Sequence, residues 1–405
     1  MNEKLEQLAA KYKDAIVETA QELIRRNSQS NDEGAVASFV AEKMKELGYD
    51  EVITDRYGSV FGVVKGAGGG SSVTLNCHMD VVHEGDVSRW KYPPYSGEIA
   101  EGRIWGRGAS DTKGTMAIQI YTPIMLREAG LLPKGDVVTA AVVCEEIAGF
   151  GSMMQTKDEF MLTDYAVIGE ATENDIAIGS RGRCCPYITI NGKSCHASIP
   201  HEGHNPVDYL EKLLPKLKEV EMADDPLFGP STMTVTRIDT PTDSKNLVTN
   251  IVPGSVIVYI DYRQVGEDTV ERVKEKIQAV MDQIHVEGVT ATLDVYYFPM
   301  TTYTGFEGMG FQGEQPFSVS PEEGFIKLAK AAVEEAVGHE IKTKAWAFAT
   351  DTGHFTAKGV KCLGYSPAEI KLCHTAEDSI SLEMMDEGIV GYLALVKALA
   401  DQAKA

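Results

Sequence analysis

Seven cysteines in 405 residues, with no Cys-x-x-Cys pair among them, argue against a disulfide framework and fit a reducing compartment. Long apolar runs are missing too, so nothing approaches the length of a membrane span. Residues 1–26 are charged throughout and helically periodic, and they lack the apolar centre and small-residue cleavage site of a signal peptide. Positive charge is in deficit, with 38 Lys and Arg against 60 Asp and Glu and a formal charge of −22. Such a surface repels nucleic-acid phosphates and anionic membranes. No internal repeat or low-complexity segment stands out. The expectation is a soluble, cytoplasmic protein with neither nucleic acid nor membrane as partner.

What the chain does have is 43% hydrophobic residues, enough for a large core. Its length fits two to three domains, or one large domain with a smaller one. Strand-like runs at 59–65, 72–77, 136–144 and 164–170 alternate with helical segments at 3–26, 33–47 and 112–129. That alternation predicts an α/β sheet with some parallel pairing. From about residue 180 the order becomes βαββαβ: strand 184–192, helix 205–220, strands 231–240 and 251–263, helix 268–284, strand 289–298. This describes a ferredoxin-like unit inserted into the first domain. The chain then resumes with helix 320–337, strands 343–348 and 360–366, and helix 382–402. The fold class expected is a catalytic mixed-sheet α/β domain, residues 1–180 plus 298–405, with an inserted ferredoxin-like lid and dimerisation domain at 181–297.

The chemistry gathers at predicted strand ends. SVTLNC runs into His78, Met79 and Asp80; VVTAAVVC into Glu145 and Glu146; DYAVIG into Glu170. GRGAS leads to Asp111, and LCHTAED places His374 in a loop before the last helix. Ligands of open α/β sheets bind outside the carboxyl ends of the strands. Two histidines and several carboxylates should therefore converge in one crevice. His, Asp and Glu together suit zinc, with cobalt or manganese as alternatives. Cys77, Cys144, Cys195 and Cys373 each precede a candidate polar residue. Strand parity points them away from the site to pack as small apolar groups, an argument that weakens for the loop residues His196 and His374. The same parity stops Glu145 and Glu146 from sharing one ion: one can coordinate while the other faces a metal-activated water as base. Taken alone, the pair could equally be a helix N-terminus, where carboxylates are favoured.

The segments NCHMDVV, WGRGASDTKG, CEEIAGFGS, GEAT, INGKSCHASIPHEGHNPV, TNIVPG and CHTAEDSI, in this order, resemble the dinuclear zinc amidohydrolase and peptidase family. That family includes acetylornithine deacetylase, succinyl-diaminopimelate desuccinylase, aminoacylase and the glutamate carboxypeptidases. The resemblance runs from about residue 10 to the C-terminus. It implies that His78 and Glu170 hold one zinc, Glu146 and His374 the other, and Asp111 bridges both. It implies Glu145 as general base and acid, Asp80 as the carboxylate orienting His78, and a water between the two ions as nucleophile toward an amide carbonyl. It implies that His196 stabilises the oxyanion, often from the partner subunit of a homodimer joined through the lid, and that Asn250 contacts substrate. Thr350 fits the family pattern. Arg181 and Arg263 are weaker candidates for a substrate carboxylate, and Arg263 could equally be a strand-surface ion pair.

The chain departs from that pattern at Ala349–His354, where His354 replaces an arginine. His201 and His204 read as exposed loop residues. The loop 299–315, rich in glycine and aromatics, is longer than a connection needs; it is a gating segment or a surface loop. A similar long loop occurs in the branch of selenium-metabolism-linked hydrolases. The function implied is hydrolysis of a C–N amide bond of a small N-acyl amino acid or dipeptide, as deacylase or, alternatively, as dipeptidase or carboxypeptidase. A metal- or ligand-binding homologue without turnover is the other class of reading, and such a binder would need no Glu145.

Overall fold

The computed structural model describes residues 2–241, 250–311 and 313–404. Thr249 of the TNIVPG motif and Gln312 of the 299–315 loop lie outside them. Four strands stand side by side and parallel, in the order Val137–Val142, Val73–His78, Tyr165–Ile168 and Lys361–Tyr365. Parallel strands are covered on both faces and must be apolar along their length. VVTAAV and YAVI meet that demand, and every residue in both is buried. Antiparallel Val60–Val64 and then Glu51–Thr54 extend one edge. Ile176–Ser180 extends the other, pairing with Phe317–Ser318 and, in parallel, with Thr343–Trp346 to complete nine strands.

Helices Asn2–Arg25, Gly114–Glu128, Gly324–Val337 and Leu382–Ala400 pack together into the principal core. Within it Ile16, Leu23, Ile120 and Leu395 are wholly buried, each worth about 1.5–3 kcal/mol of transfer free energy. Alternate residues of Val60–Val64 serve opposite faces: Val60 and Val64 join this core, while Phe61 and Val63 join a smaller one with Val138 and Val142. Among the described residues no helix is long and apolar enough to cross a membrane. Parallel pairing sends every carboxyl end to one edge of the sheet. His78, the turn after Val142, Glu170 and the loop after Tyr365 therefore share a rim.

A second, wholly antiparallel sheet runs Thr290–Val295, Pro186–Asn191, Ser255–Gln264, Gly182–Cys184, with Thr232–Asp239 also on Ser255–Gln264. Ser255–Gln264 alternates strictly, and Val256, Val258, Ile260 and Tyr262 are buried in its own core. Helices Pro206–Leu217 and Val270–Met281 join that core through Leu213, Leu217, Val273 and Ile277. Asn205 and Thr269 cap them, accepting the N–H of Val207 and of Arg272. The order is the βαββαβ unit expected. The sheet also takes in Gly313–Glu314, from beyond the expected boundary at 297.

That extra strand arrives by way of the 299–315 segment, which is an ordered β-hairpin and not an irregular loop. Tyr297–Thr301 pairs with Glu307–Phe311. Its tip reaches across to the first sheet, where Tyr303 Oη donates to the Gly58 carbonyl at 2.9 Å and Thr304 Oγ1 to the Arg56 carbonyl at 2.9 Å. Phe306 sits edge-on to Tyr57, with ring centroids 4.7 Å apart. Gly58 has φ +105°, and a Cβ there would lie 2.3 Å from the Tyr303 ring. Gly58→Ala should therefore destabilise the protein by about 1–3 kcal/mol, the usual cost of forced overpacking. Denaturant unfolding checks this; an unchanged midpoint would show that the tip is not clamped.

Candidate active site

His78 closes the strand Val73–His78 and is 2% exposed. Its Nδ1 lies 2.9 Å from the Asp80 carbonyl, which accepts its proton and leaves Nε2 as the free donor atom of the ring. The Asp80 carboxylate, expected to orient His78, stands farther away, at 3.7 Å. It instead accepts the N–H groups of Glu145 at 3.0 Å and Glu146 at 3.1 Å and the hydroxyl of Ser30 at 2.6 Å. Asp80 thus holds the acidic turn as well as facing the histidine.

Strand parity does not govern that turn. The strand ends at Val142, Cys144 takes a left-handed conformation (φ 54°), and Glu145–Ala148 is a single helical turn. The two carboxylates diverge by the helical step, and the helix-start reading of the pair holds alongside the site reading. Cys77 and Cys144 are both buried in the principal core as expected, Cys77 by strand parity and Cys144 through the left-handed turn. Cys373 departs from that expectation: it precedes His374 on a loop and lines the cavity described below.

Asp111 sits in a widened turn, Ala109–Lys113, ahead of the helix Gly114–Glu128, so the expected helical start at 112 is displaced. The carboxylate of Asp378 shapes this turn, accepting from Gly108 N at 2.7 Å, Ser110 N at 2.9 Å and Arg107 Nη1 at 3.1 Å. Asp378 follows His374 by four residues, so one carboxylate fixes the Asp111 turn against the His374 loop.

The outcome is two triads that share one carboxylate. His78 Nε2 lies 2.9 Å from Asp111 Oδ1 and 3.4 Å from Glu170 Oε1. His374 Nε2 lies 3.0 Å from Asp111 Oδ2 and 3.1 Å from Glu146 Oε2. Ligand atoms of His78, Asp111 and Glu146 fall within 4.8 Å of one another, as do those of His78, Glu145 and Glu170, because all crowd one space. Burial and the nearby Asp111 charge push Glu146 up to about 7, and burial and Asp111 also raise Glu170. Burial raises Glu145 well above the carboxylate range; His78 opposes this, and Glu170, Asp351 and Glu146 add to it. Burial works to raise Asp111 as well, but hydrogen bonds from His374 and His78 hold it below its ordinary value. Packed carboxylates that resist ionisation, beside imidazoles each with one nitrogen turned inward, form a hard-donor set for divalent cations.

A cavity of about 350 Å³ opens in front of the triads, bounded by Arg183, Arg263, Glu314, Phe348, Ile370 and Cys373 among others. Of the expected substrate contacts, only Arg263 lines it. Arg181 is committed to the carbonyls of Phe228 at 2.7 Å and Pro230 at 3.0 Å. Thr350 is wholly buried and shares a hydroxyl contact of 2.7 Å with Thr352. His196 and Asn250 are exposed on the ribbon of Cys195–His196 and Ile251–Val252 and border no part of this cavity. Arg183, Glu314 and Asp378 were not singled out by sequence. Asp378 had a signal in HTAED, an acid at fixed distance from His374; Arg183 lay two residues from the arginine chosen; Glu314 had none.

His354 is no substrate contact. Its Nε2 has no hydrogen-bond partner among the described residues and abuts Gly149, and burial lowers its pKa to about 4. Asp351 is 2% exposed, and among the described residues its carboxylate has one hydrogen-bond partner, the Ser152 hydroxyl at 2.6 Å. Burial pushes its pKa up to about 8 from an ordinary 3.8, despite that hydrogen bond. A carboxyl raised in the folded state binds its proton more tightly than the unfolded chain does. Its contribution to stability is full below about pH 4 and falls as pH rises to about 8. Chelator-treated protein should lose more melting temperature between pH 5 and pH 8 than its Asp351→Asn variant does. Equal losses would show that Asp351 ionises normally in the fold.

The model of peptidase family M20/M25/M40 matches residues 74–398, from the strand that ends in His78 to the last helix. The chain is 26% identical over 374 residues to the uncharacterized protein YgeY of Escherichia coli (strain K12), a match covering 91% of each chain. It shares its fold with aminopeptidase PepT of Bacillus cereus ATCC 10987, with a TM-score of 0.74 at 17% identity over 96% of this chain and 99% of that one. The Bacillus subtilis YXEP protein, a dinuclear metal-binding peptidase of family M20, matches with a TM-score of 0.67 at 13% identity over 96% of this chain and 98% of that one. A family match across most of the chain, with the paired donor triads inside it, leads to one conclusion: this chain belongs to peptidase family M20/M25/M40 and is a metal-dependent hydrolase.

Proposed function

We propose that the protein hydrolyses the C–N amide bond of a small N-acyl amino acid or dipeptide, as a deacylase such as a deacetylase or as a dipeptidase. One observation carries this reading: Asp111 presents its two oxygens to two different histidines, each with its own glutamate, and Glu145 gathers with His78 and Glu170 and lines the same cavity as Glu146 and His374. His78, Glu170 and one oxygen of Asp111 would hold one cation, and His374, Glu146 and the other oxygen the second. The donors are nitrogen and oxygen throughout, which suits zinc, with cobalt or manganese as alternatives. Two such ions, when bound, offset the clustered negative charge, polarise a carbonyl and acidify water.

The chain's own groups carry the proton. Glu145 is rooted in a turn fixed by Asp80, so its carboxylate is positioned before substrate arrives. It takes a proton from the attacking water and returns it to the leaving nitrogen. Two-metal phosphoester chemistry is disfavoured, because the cavity offers two arginines and no wider basic cradle.

His196 is assigned to the oxyanion. Its Nδ1 accepts the N–H of Ser198 at 3.1 Å, which places the proton on Nε2 and makes that atom a donor. Within one chain it borders no part of the cavity, so the assignment calls for a second copy: residues 181–297 act as lid and dimerisation domain, and residues 1–180 plus 298–405 as catalytic domain. Asn250 would travel with His196, since its carbonyl accepts Ala197 N at 2.9 Å. The seven free cysteines suit a cytoplasmic enzyme.

The zinc-loaded protein, tested on N-acyl amino acids, carbamoyl compounds and dipeptides, should release free amine from at least one class. Glu145→Gln should lose about 10²–10⁴-fold in kcat with two metals per chain retained, which rate assays and metal analysis together check; full activity would remove the base. Hybrids of His196→Ala with Glu145→Gln subunits should regain part of the activity, as one site draws an intact Glu145 and a partner's His196. No recovery in verified hybrids would place His196 outside the site.

A further inference from the structure

Five carboxylates line the cavity, and four of them, Asp111, Glu145, Glu146 and Glu170, are accounted for above. The fifth is Glu314. It enters on the strand added by the anchored hairpin, in register with Arg183. Among the described residues its carboxylate has no ion-pair partner within 4 Å. The arginines beside it are already engaged with another acid. Arg263 donates to Asp261 from Nε at 2.8 Å and from Nη2 at 3.3 Å, and Arg183 Nε donates to the same carboxylate at 3.3 Å. The wall facing the triads thus sets two guanidiniums against two carboxylates: Asp261 takes their hydrogen bonds, and Glu314 stands in their field without an ion pair of its own, burial pushing it up to about 7 against the pull of both arginines.

A second cavity of about 280 Å³ adjoins the first and is bounded by Ile147, Tyr296 and Phe298. Glu145, Glu146, Arg183 and Glu314 border both. The base and Glu314 therefore stand on the same partition, with apolar surface on the outer side. A group held by Glu314 shares that partition with Glu145.

We propose that Glu314 reads the free ammonium group next to the scissile carbonyl while Arg183 and Arg263 face the substrate's carboxylate, so that the substrate is a zwitterionic, peptide-like amide with an unacylated amine. The side chain of its amino-terminal residue takes the space by Ile147, Tyr296 and Phe298. An acyl group without the amine desolvates Glu314 and returns nothing, which is how a buried polar site rejects an analogue lacking the matching group. This rests on the amide-hydrolase reading and narrows it to one substrate class.

The test compares amides that differ only in the amine: alanyl and propionyl derivatives of the same amino acids, given to the zinc-loaded protein. The wild type should favour the alanyl compound by about tenfold or more in kcat/KM, the size expected for a charge-assisted hydrogen bond. In Glu314→Gln that ratio should fall toward one, chiefly through KM, with metal content and melting temperature held. Propionyl amides cleaved as well as alanyl ones by the wild type would overturn the assignment without any variant. An undiminished ratio in Glu314→Gln would overturn it too. If the wild type cleaves neither compound with two metals bound, the hydrolase reading itself fails and the inference falls with it, a result distinct from turnover that ignores the amine.

Discussion

Two imidazoles on the two oxygens of a single carboxylate set the demands on everything around them. His78 and His374 reach Asp111 from positions 296 residues apart in the chain, and Glu146 and Glu170 close in behind them. Buried like charges repel, so this arrangement persists only where the backbone holds it. Two further carboxylates do the holding. Asp80 accepts the N–H groups that open the acidic turn, and Asp378 accepts those of the Asp111 turn. Each is satisfied by hydrogen bonds, so neither competes for a cation. Acids of one chemical type thus split into candidate ligands and supports according to what donates to them.

The sheet explains why such distant residues meet at all. Four parallel strands deliver their carboxyl ends to one rim, and each contributes a loop or turn there. That much could be read in the sequence, because buried parallel strands advertise themselves as unbroken apolar runs such as VVTAAVV ending abruptly in acid. The βαββαβ order of the second sheet was legible for a related reason: Ser255–Gln264 alternates too strictly to be anything but a strand covered on one face. Among site residues, those at strand ends could be found by their position alone.

Other features escaped for physical reasons. Parity predicts the direction of a side chain only while the backbone stays extended. It failed at Glu145 and Glu146, which begin a helix, and at Cys373, which lies on a loop. Arg181 and Arg183 look equivalent in SRGRC, yet one binds the carbonyls of a neighbouring turn and the other faces the cavity; the choice depends on Phe228 and Pro230, nearly fifty residues away. Glu314 gave no local signal, since its position follows from the hairpin's anchorage at Gly58 and from the register with Arg183. The aromatic-rich segment 299–315 looked loose because the residues that anchor its tip, Arg56, Tyr57 and Gly58, lie far off in the sequence.

The join between Asp378 and the turn at Gly108 and Ser110 has a temporal side. A chain emerging from the ribosome can complete most of the first sheet, and all of the second, before residue 374 exists. Until then one imidazole and the clasp on the Asp111 turn are both missing, and the acidic cluster lacks half of what lets it carry a pair of cations. His374 and Asp378 are therefore among the last parts of the site to be made, and only the helix Leu382–Ala400, which closes the principal core, comes after them.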